Sequence, residues 1–145
     1  MANEVPYAFP VELLSGTHDF ATDTFKLALY TASPYTTAST VYVATTESSG
    51  TEYSAGGNTL TGNAVSNVTD YATVDFTDSV WGSPTPATFS AAYAALYNSS
   101  ATNKLIVVLD FGGTKSCSNG TFTVTFPSPT SGSPSGADAL LSINS

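Results

Sequence analysis

The sequence predicts an all-β protein folded as a two-sheet sandwich, a class that includes the jelly roll. Three observations predict it. Ser and Thr together make up 43 residues and Phe and Tyr another 16, while charged residues are only 10%. β-Branched and aromatic side chains suit half-buried pleated surfaces, and so low a charge excludes the composition of a disordered chain. About eight short runs alternate between apolar and polar residues and are separated by Gly, Pro and Ser turn signals. Finally, a chain of 145 residues is one domain in size and buries roughly 70% of its unfolded surface, so it needs neither disulfide nor metal to fold.

No fixed-period repeat and no internal linker divides the chain. Residues 1–24 are expected to form an extended N-terminal arm, and residues 25–145 the sandwich. Val5-Pro6 and Phe9-Pro10 favour extended backbone before each proline. Val11 to Leu14 can make one helical turn, with Pro10 at its start and Gly16 at its end. Phe25 to Thr31 is the first strand, with Phe25, Leu27 and Leu29 on one face. Thr40 to Thr46 is the second, with Val41 and Val43 together. Ala55-Gly56-Gly57-Asn58 is a turn of residues that tolerate positive φ, and Gly62 to Val68 is the third strand. Tyr71 to Phe76 alternates again, with Ala72, Val74 and Phe76 on one face. Trp81 then precedes the breaker Ser83-Pro84-Thr85-Pro86.

Ala87 to Asn98 has the alanines of a helix, but Phe89, Ala91, Tyr93, Ala95 and Tyr97 also line one strand face, and no capping box precedes them. A strand is expected. Lys104 to Phe111 is apolar on both faces, as in a covered central strand, and Gly112-Gly113 is expected to turn the chain. Thr121 to Phe126 puts Phe122, Val124 and Phe126 inward. Pro127 to Gly136 is a loop, and Ala139 to Asn144 is the last strand. The predicted core is Phe25, Leu27, Leu29, Val74, Phe76, Ile106, Val108, Phe122, Val124 and Phe126.

Net charge is −8, with Lys26, Lys104 and Lys115 the only cations. Three scattered lysines cannot neutralise a phosphate backbone or dock on an anionic membrane, so no nucleic acid and no membrane partner is expected. Acidity either attracts a basic protein surface or keeps a hydroxyl-rich surface soluble. Cys117 stands alone, no apolar run approaches a membrane span, and the first residues do not read as a signal peptide. A protein made in a reducing cytoplasm is expected, or one assembled there into something larger.

The search for chemistry yields little. His18 is the single histidine. Beside Asp19 it could orient a base, but no nucleophile motif accompanies it, and a loop or interface histidine is the plainer reading. Asp70, Asp75 and Asp78 could line a calcium loop or supply a carboxylate pair; they are more simply solvated turn residues. Cys117, in Lys115 to Gly120, is expected in a turn as a bystander thiol. Asn67, Asn98 and Asn119 begin glycosylation sequons that a Ser/Thr-rich chain produces by chance. Trp81 and the tyrosines could stack on sugars, but serve more often as core or interface anchors. No enzyme activity, cofactor or metal site is expected.

Three ordered stretches carry a resemblance. His18-Asp19-Phe20 leads into Thr24-Phe25-Lys26-Leu27-Ala28-Leu29-Tyr30-Thr31. Gly50-Thr51-Glu52-Tyr53-Ser54-Ala55-Gly56-Gly57-Asn58-Thr59-Leu60 follows, with Glu52 where a small residue, often Gly, is the rule. Then Phe76-Thr77-Asp78-Ser79-Val80-Trp81 precedes Ala87-Thr88-Phe89 and Ala94-Ala95-Leu96-Tyr97-Asn98. Over residues 5 to 111 this order resembles small virion structural proteins of tailed bacteriophages and cyanophages, most of all capsid cement or decoration proteins. The resemblance implies a jelly-roll sandwich that forms a homo-oligomer (dimer or trimer) and bridges major capsid protein subunits on the outer surface of a virion, after synthesis in the host bacterial cytoplasm. It brings no catalytic residues. The apolar arm residues Val5, Tyr7, Phe9, Val11, Leu13 and Leu14 are the candidate capsid interface, with packing back on their own domain as the other possibility. A fibre, tail or adhesin module that binds carbohydrate is the alternative function. Exposed aromatics in a groove would mark it.

Overall fold

A computed structural model describes residues 3–68, 71–127 and 141–144. In chain order these form helix α1 (Ala8–Leu14) and strands β1 (Phe25–Tyr30), β2 (Asn58–Thr59), β3 (Ala64–Val68), β4 (Tyr71–Asp75), β5 (Ser79–Trp81), β6 (Ala87–Asn98), β7 (Lys104–Gly120), β8 (Phe122–Val124) and β9 (Leu141–Asn144). The strands pair antiparallel in sheets ordered β2-β1-β6-β7, β3-β4-β9 and β5-β8. All three sheets contribute to one apolar cluster, which includes Phe25, Leu27, Val74, Trp81, Phe89, Ile106, Phe122 and Phe126. The chain is therefore the all-β sandwich that its composition and alternation predict.

All ten predicted core residues are buried, but they do not share one face. Ala28, Tyr30, Tyr35, Ala95, Tyr97, Leu105 and Val108 form a second cluster. Two irregularities divide the residues between the clusters. Tyr93 pairs with Asp110 and Ala91 with Lys115, so residues 111–114 face Ala92 alone. Such a bulge switches the side-chain phase. Ala87, Phe89 and Ala91 point into the main core, whereas Ala95 and Tyr97 point to the other side. The expected continuous face from Phe89 to Tyr97 is thereby broken. A second shift leaves Ile106 between the pairs Leu96–Val107 and Tyr97–Leu105, which puts Ile106 and Val108 in different clusters.

Several expectations are corrected by this geometry. Gly112 and Gly113, at φ 70° and 133°, widen the bulge instead of turning the chain. Strand β7 runs on to Gly120, so Cys117 lies in a strand opposite Phe89 and not in a turn. Residues 40–46 form no strand beyond a single bridge between Val41 and Lys104. The Tyr35 hydroxyl accepts the Val43 N–H at 3.1 Å, and the Tyr30 hydroxyl donates to the Val43 carbonyl at 2.8 Å. Side chains thus take the place of a ladder partner, and Val41 and Val43 are left exposed. Ser79–Trp81, to which the sequence pattern assigns no strand, pairs with β8. Glu52 takes φ 62°, the left-handed conformation that a glycine adopts most easily. The expected strand start at Ala139 and most of the loop from Pro127 lie outside the described residues.

Candidate interaction surface of the N-terminal segment

The N-terminal segment is not an extended arm. Asn3 and Glu4 lie along the edge of β7, where Glu4 and Val108 exchange two backbone hydrogen bonds of 2.8 Å, and the Tyr7 N–H bonds to the Thr37 carbonyl. The chain then turns into α1. Its end is a Schellman motif: the Gly16 N–H bonds to the Leu13 carbonyl and the Thr17 N–H to the Glu12 carbonyl, with Gly16 at φ 75°. That geometry favours glycine and stops the helix sharply.

A helix this short holds its shape through packing. Phe9 and Leu13, four residues apart, turn inward: Phe9 is buried and Leu13 packs against the core. Phe9 meets His18 and Phe20 at ring-centroid distances of 5.4 and 6.3 Å, and Phe20 stacks on Phe25 at 4.8 Å. Tyr7, Val11 and Leu14, spaced four and three residues apart, fall on the opposite face. They are 73%, 67% and 90% exposed, and Val5 just before them is also in solvent. Of the six candidate interface residues, Phe9 and Leu13 therefore anchor the segment to its own domain. Val5, Tyr7, Val11 and Leu14 are presented outward.

The polar side of α1 carries a network that sequence reasoning did not find. Glu12 ion-pairs with Lys104 at 2.7 Å and meets the His18 Nε2 at 3.2 Å. His18 lies in the loop after α1, as expected, but it is buried there and has a carboxylate partner. Its neighbour Asp19 plays no part in orienting it, because that carboxylate accepts the Ala21 N–H and the Thr22 hydroxyl. On the other side of the ring stands Asn98, whose Oδ1 accepts the N–H groups of Ser100 and Ala101. The amide orientation follows from those bonds. The Asn98 Nδ2 donates to Asp23 at 2.6 Å and to the His18 Nδ1 at 3.1 Å. The His18 Nδ1 is therefore the acceptor, and the Nε2 carries the proton toward Glu12. Both ring nitrogens are engaged inside the protein, so neither is free to take a proton from a substrate in this arrangement.

Burial tends to raise the Glu12 carboxyl. The Lys104 ammonium, then His18, outweigh burial and hold it below the ordinary value of 4.5. A depressed folded-state value stabilises the fold above pH 4.5, and the stabilisation is lost as pH falls through that lower value. Glu12→Gln is expected to be about 2 kcal/mol less stable than wild type at pH 7. That gap should shrink steadily as the pH falls below 4.5. Urea unfolding of both proteins across that range checks it, and a gap that stays constant with pH would remove the Glu12 charge from the account.

The remaining candidates separate. Asp75 accepts the Phe76 N–H and Asp78 the Phe126 N–H, both at 2.9 Å, so Asp75 fastens its own backbone and Asp78 holds the chain after β8; Asp70 lies outside the described residues. Among the described residues no group of three His, Cys, Asp or Glu side chains gathers to hold a metal ion. Trp81 is buried against Tyr53, Phe89 and Phe122. Asn98 is fully buried, which closes that sequon to a glycan.

A second unforeseen cluster centres on Glu47. It accepts the hydroxyls of Tyr42 and Tyr53 at 2.6 and 2.7 Å and the Gly56 N–H at 2.7 Å. Tyr97 bonds to the Gly56 carbonyl and stacks on Tyr42. Burial, then the Glu47 charge, pushes the Tyr97 hydroxyl up to about 12. This cluster ties the chain around Tyr42, Glu47 and residues 53–56 to itself and to Tyr97 of β6. Compared with known proteins, the chain matches no family model, no curated protein and no solved structure.

Proposed function

We propose that this chain is a non-enzymatic structural protein of a tailed-phage virion, which decorates and cements the capsid by bridging major capsid protein subunits. One observation carries the reading. Helix α1 holds Tyr7, Val11 and Leu14 in solvent on one face while Phe9, Leu13 and Glu12 lock the other face to the core. Large apolar side chains held rigidly in water are a protein docking surface. The ordered sequence resemblance supports the same reading and supplies the partner, the jelly-roll topology and the self-association that lets several helices engage at once. The engagement of both His18 ring nitrogens supports a non-enzymatic role. The carbohydrate-binding alternative draws less support, because Trp81, Phe89 and Tyr97 are buried and offer a sugar no platform.

Deleting residues 1–16 would also remove Phe9 and Glu12 from their contacts, so it does not isolate the surface. Tyr7→Ser, Val11→Ser and Leu14→Ser combined does. The triple variant is expected to melt within a few degrees of wild type, since exposed positions contribute little to stability. Its occupancy on capsids lacking the protein should fall at least about tenfold, the loss expected when interface anchors are truncated, and heat protection should fall with it. Equal occupancy would take the helix face out of the mechanism. Wild-type protein that binds no capsid but binds a glycan or a tail component would overturn the cement reading.

A further inference from the structure

A second apolar surface opens beside the helix. In the β3-β4-β9 sheet Val65 stands opposite Val74, and Ala72 opposite Ile143. Strand alternation puts all four on one face. The segment from Leu13 to Ala21 borders this face without closing it. What remains is a groove of ≈ 550 Å³, lined by Leu13, Phe20, Val65, Ala72, Val74 and Ile143 among others. Val65 is 55% exposed and Ile143 53%, although both are large aliphatic side chains.

Charge says what could cover them. Asp19 lines the groove, with its carboxyl held below the ordinary range first by the Thr22 hydroxyl and then by the Ala21 N–H. No lysine or arginine lines the groove, and the segment up to Thr24 contains none. The three lysines sit elsewhere. Lys104 is paired with Glu12, Lys26 lies against Gly56 and Tyr97, and Lys115 is on β7 opposite Ala91. The same face of a second copy would set another Asp19 and no cation against this one, which like charges disfavour.

We propose that the groove between residues 13–21 and the β3-β4-β9 sheet docks a segment of another protein in which a few aliphatic side chains are flanked by lysine or arginine. It is a surface distinct from the exposed face of α1. It rests on the cement reading only for the source of the segment, which in that case is the shell protein.

The test uses the full chain and an octapeptide of four aliphatic residues with two lysines at each end. Titration into ¹⁵N-labelled protein is expected to shift the amides of Phe20, Val65, Ala72 and Ile143. Val65→Asp should weaken binding at least about tenfold, the size expected for losing a buried anchor; Ile143→Asp replaces it if that variant does not fold. Asp19→Asn, which keeps the acceptor for the Ala21 N–H, should weaken it a few-fold, and a glutamate-flanked peptide should bind at least about tenfold more weakly. Shifts that map elsewhere, or equal binding of the two peptides, would overturn the proposal. So would a dimer seen in sedimentation that Val65→Asp abolishes, since that gives the groove to a second copy. Capsid occupancy is measured separately. A chain that takes the lysine peptide at the groove but binds no capsid keeps this proposal and loses the shell as its source. One that binds capsids with or without Val65→Asp and ignores the peptide loses the groove.

Discussion

Replacing Gly57 with alanine is expected to destabilise the fold by at least about 3 kcal/mol, in the range reached only by severe steric or core defects. Gly57 takes φ 70°, and a Cβ there would stand 1.8 Å from the Leu27 carbonyl oxygen and 2.6 Å from the Ala28 Cα. Both obstacles are backbone. Neither can retreat, because Leu27 is paired on one side with Asn58 and on the other with Leu96. Moving the glycine instead would pull Gly56 away from Glu47 and Tyr97, which hold its N–H and its carbonyl. Gly16→Ala is the control. Its φ is nearly the same, 75°, but nothing lies within 4 Å of the added carbon. Only the left-handed backbone penalty remains, roughly 1–2 kcal/mol. Urea unfolding of the two variants checks the contrast. Similar losses would mean that conformation, not the close approach to β1, sets the requirement for glycine at position 57.

The same turn shows what was legible beforehand. Ala55-Gly56-Gly57-Asn58 is readable as a positive-φ turn from residue type, since only glycine enters that region without penalty. The strands were readable where alternation is clean, as in Phe25 to Leu29 or Phe122 to Phe126. Burial of every predicted core position follows from that. Phase was lost at residues 91–93 and 105–107, because a bulge leaves no reliable mark on the apolar pattern. Gly112-Gly113 signals an interruption but does not say whether the chain turns or bulges. Thr40 to Thr46 looks like a strand because Val41 and Val43 alternate; what displaced it was a pair of tyrosine hydroxyls from Tyr30 and Tyr35. The polar networks were the least accessible. Lys104 and Asn98 reach Glu12 and His18 from the far end of β6 and its turn, which no local pattern announces. The partners of Glu47 are only five to nine residues away, but they lie in irregular chain, where no periodicity says which side chains meet. The outward face of α1 was half legible. Six apolar residues in a short stretch called for a partner, but only the helical phase decides that Phe9 and Leu13 find theirs at home while Tyr7, Val11 and Leu14 do not.

Asn98→Ala is expected to remove about 3–4 kcal/mol of stability, since it takes a partner at once from the buried His18, the half-buried Asp23 and the turn N–H groups of Ser100 and Ala101. For a chain of this size, that corresponds to a fall of roughly 10 °C in Tm. Asn98 is fully buried at the end of β6. Its Oδ1 holds the Ser100 and Ala101 N–H groups at 2.9 and 3.1 Å, shaping a turn in which Thr102 and Asn103 both take positive φ. Its Nδ2 holds Asp23 and His18. One amide therefore ties the β6–β7 turn to the segment that follows α1. Alanine leaves the half-buried Asp23 carboxylate with one donor fewer and the buried His18 Nδ1 without one, and an unpartnered polar group in a buried site is costly. Asn98→Asp separates the two halves of the role. It keeps an acceptor for the turn but sets an oxygen where the Nδ2 met Asp23 at 2.6 Å, so at neutral pH it should be destabilised by a similar amount through repulsion. Hydrogen exchange locates the damage: both variants should lose protection at residues 17–23, but only the alanine variant should also lose it at Ser100 and Ala101. A loss below about 1 kcal/mol in Asn98→Ala, the worth of a single ordinary hydrogen bond, would mean that the network does not hold the N-terminal segment. The packing of Phe9 and Leu13 alone would then have to keep Tyr7, Val11 and Leu14 in place.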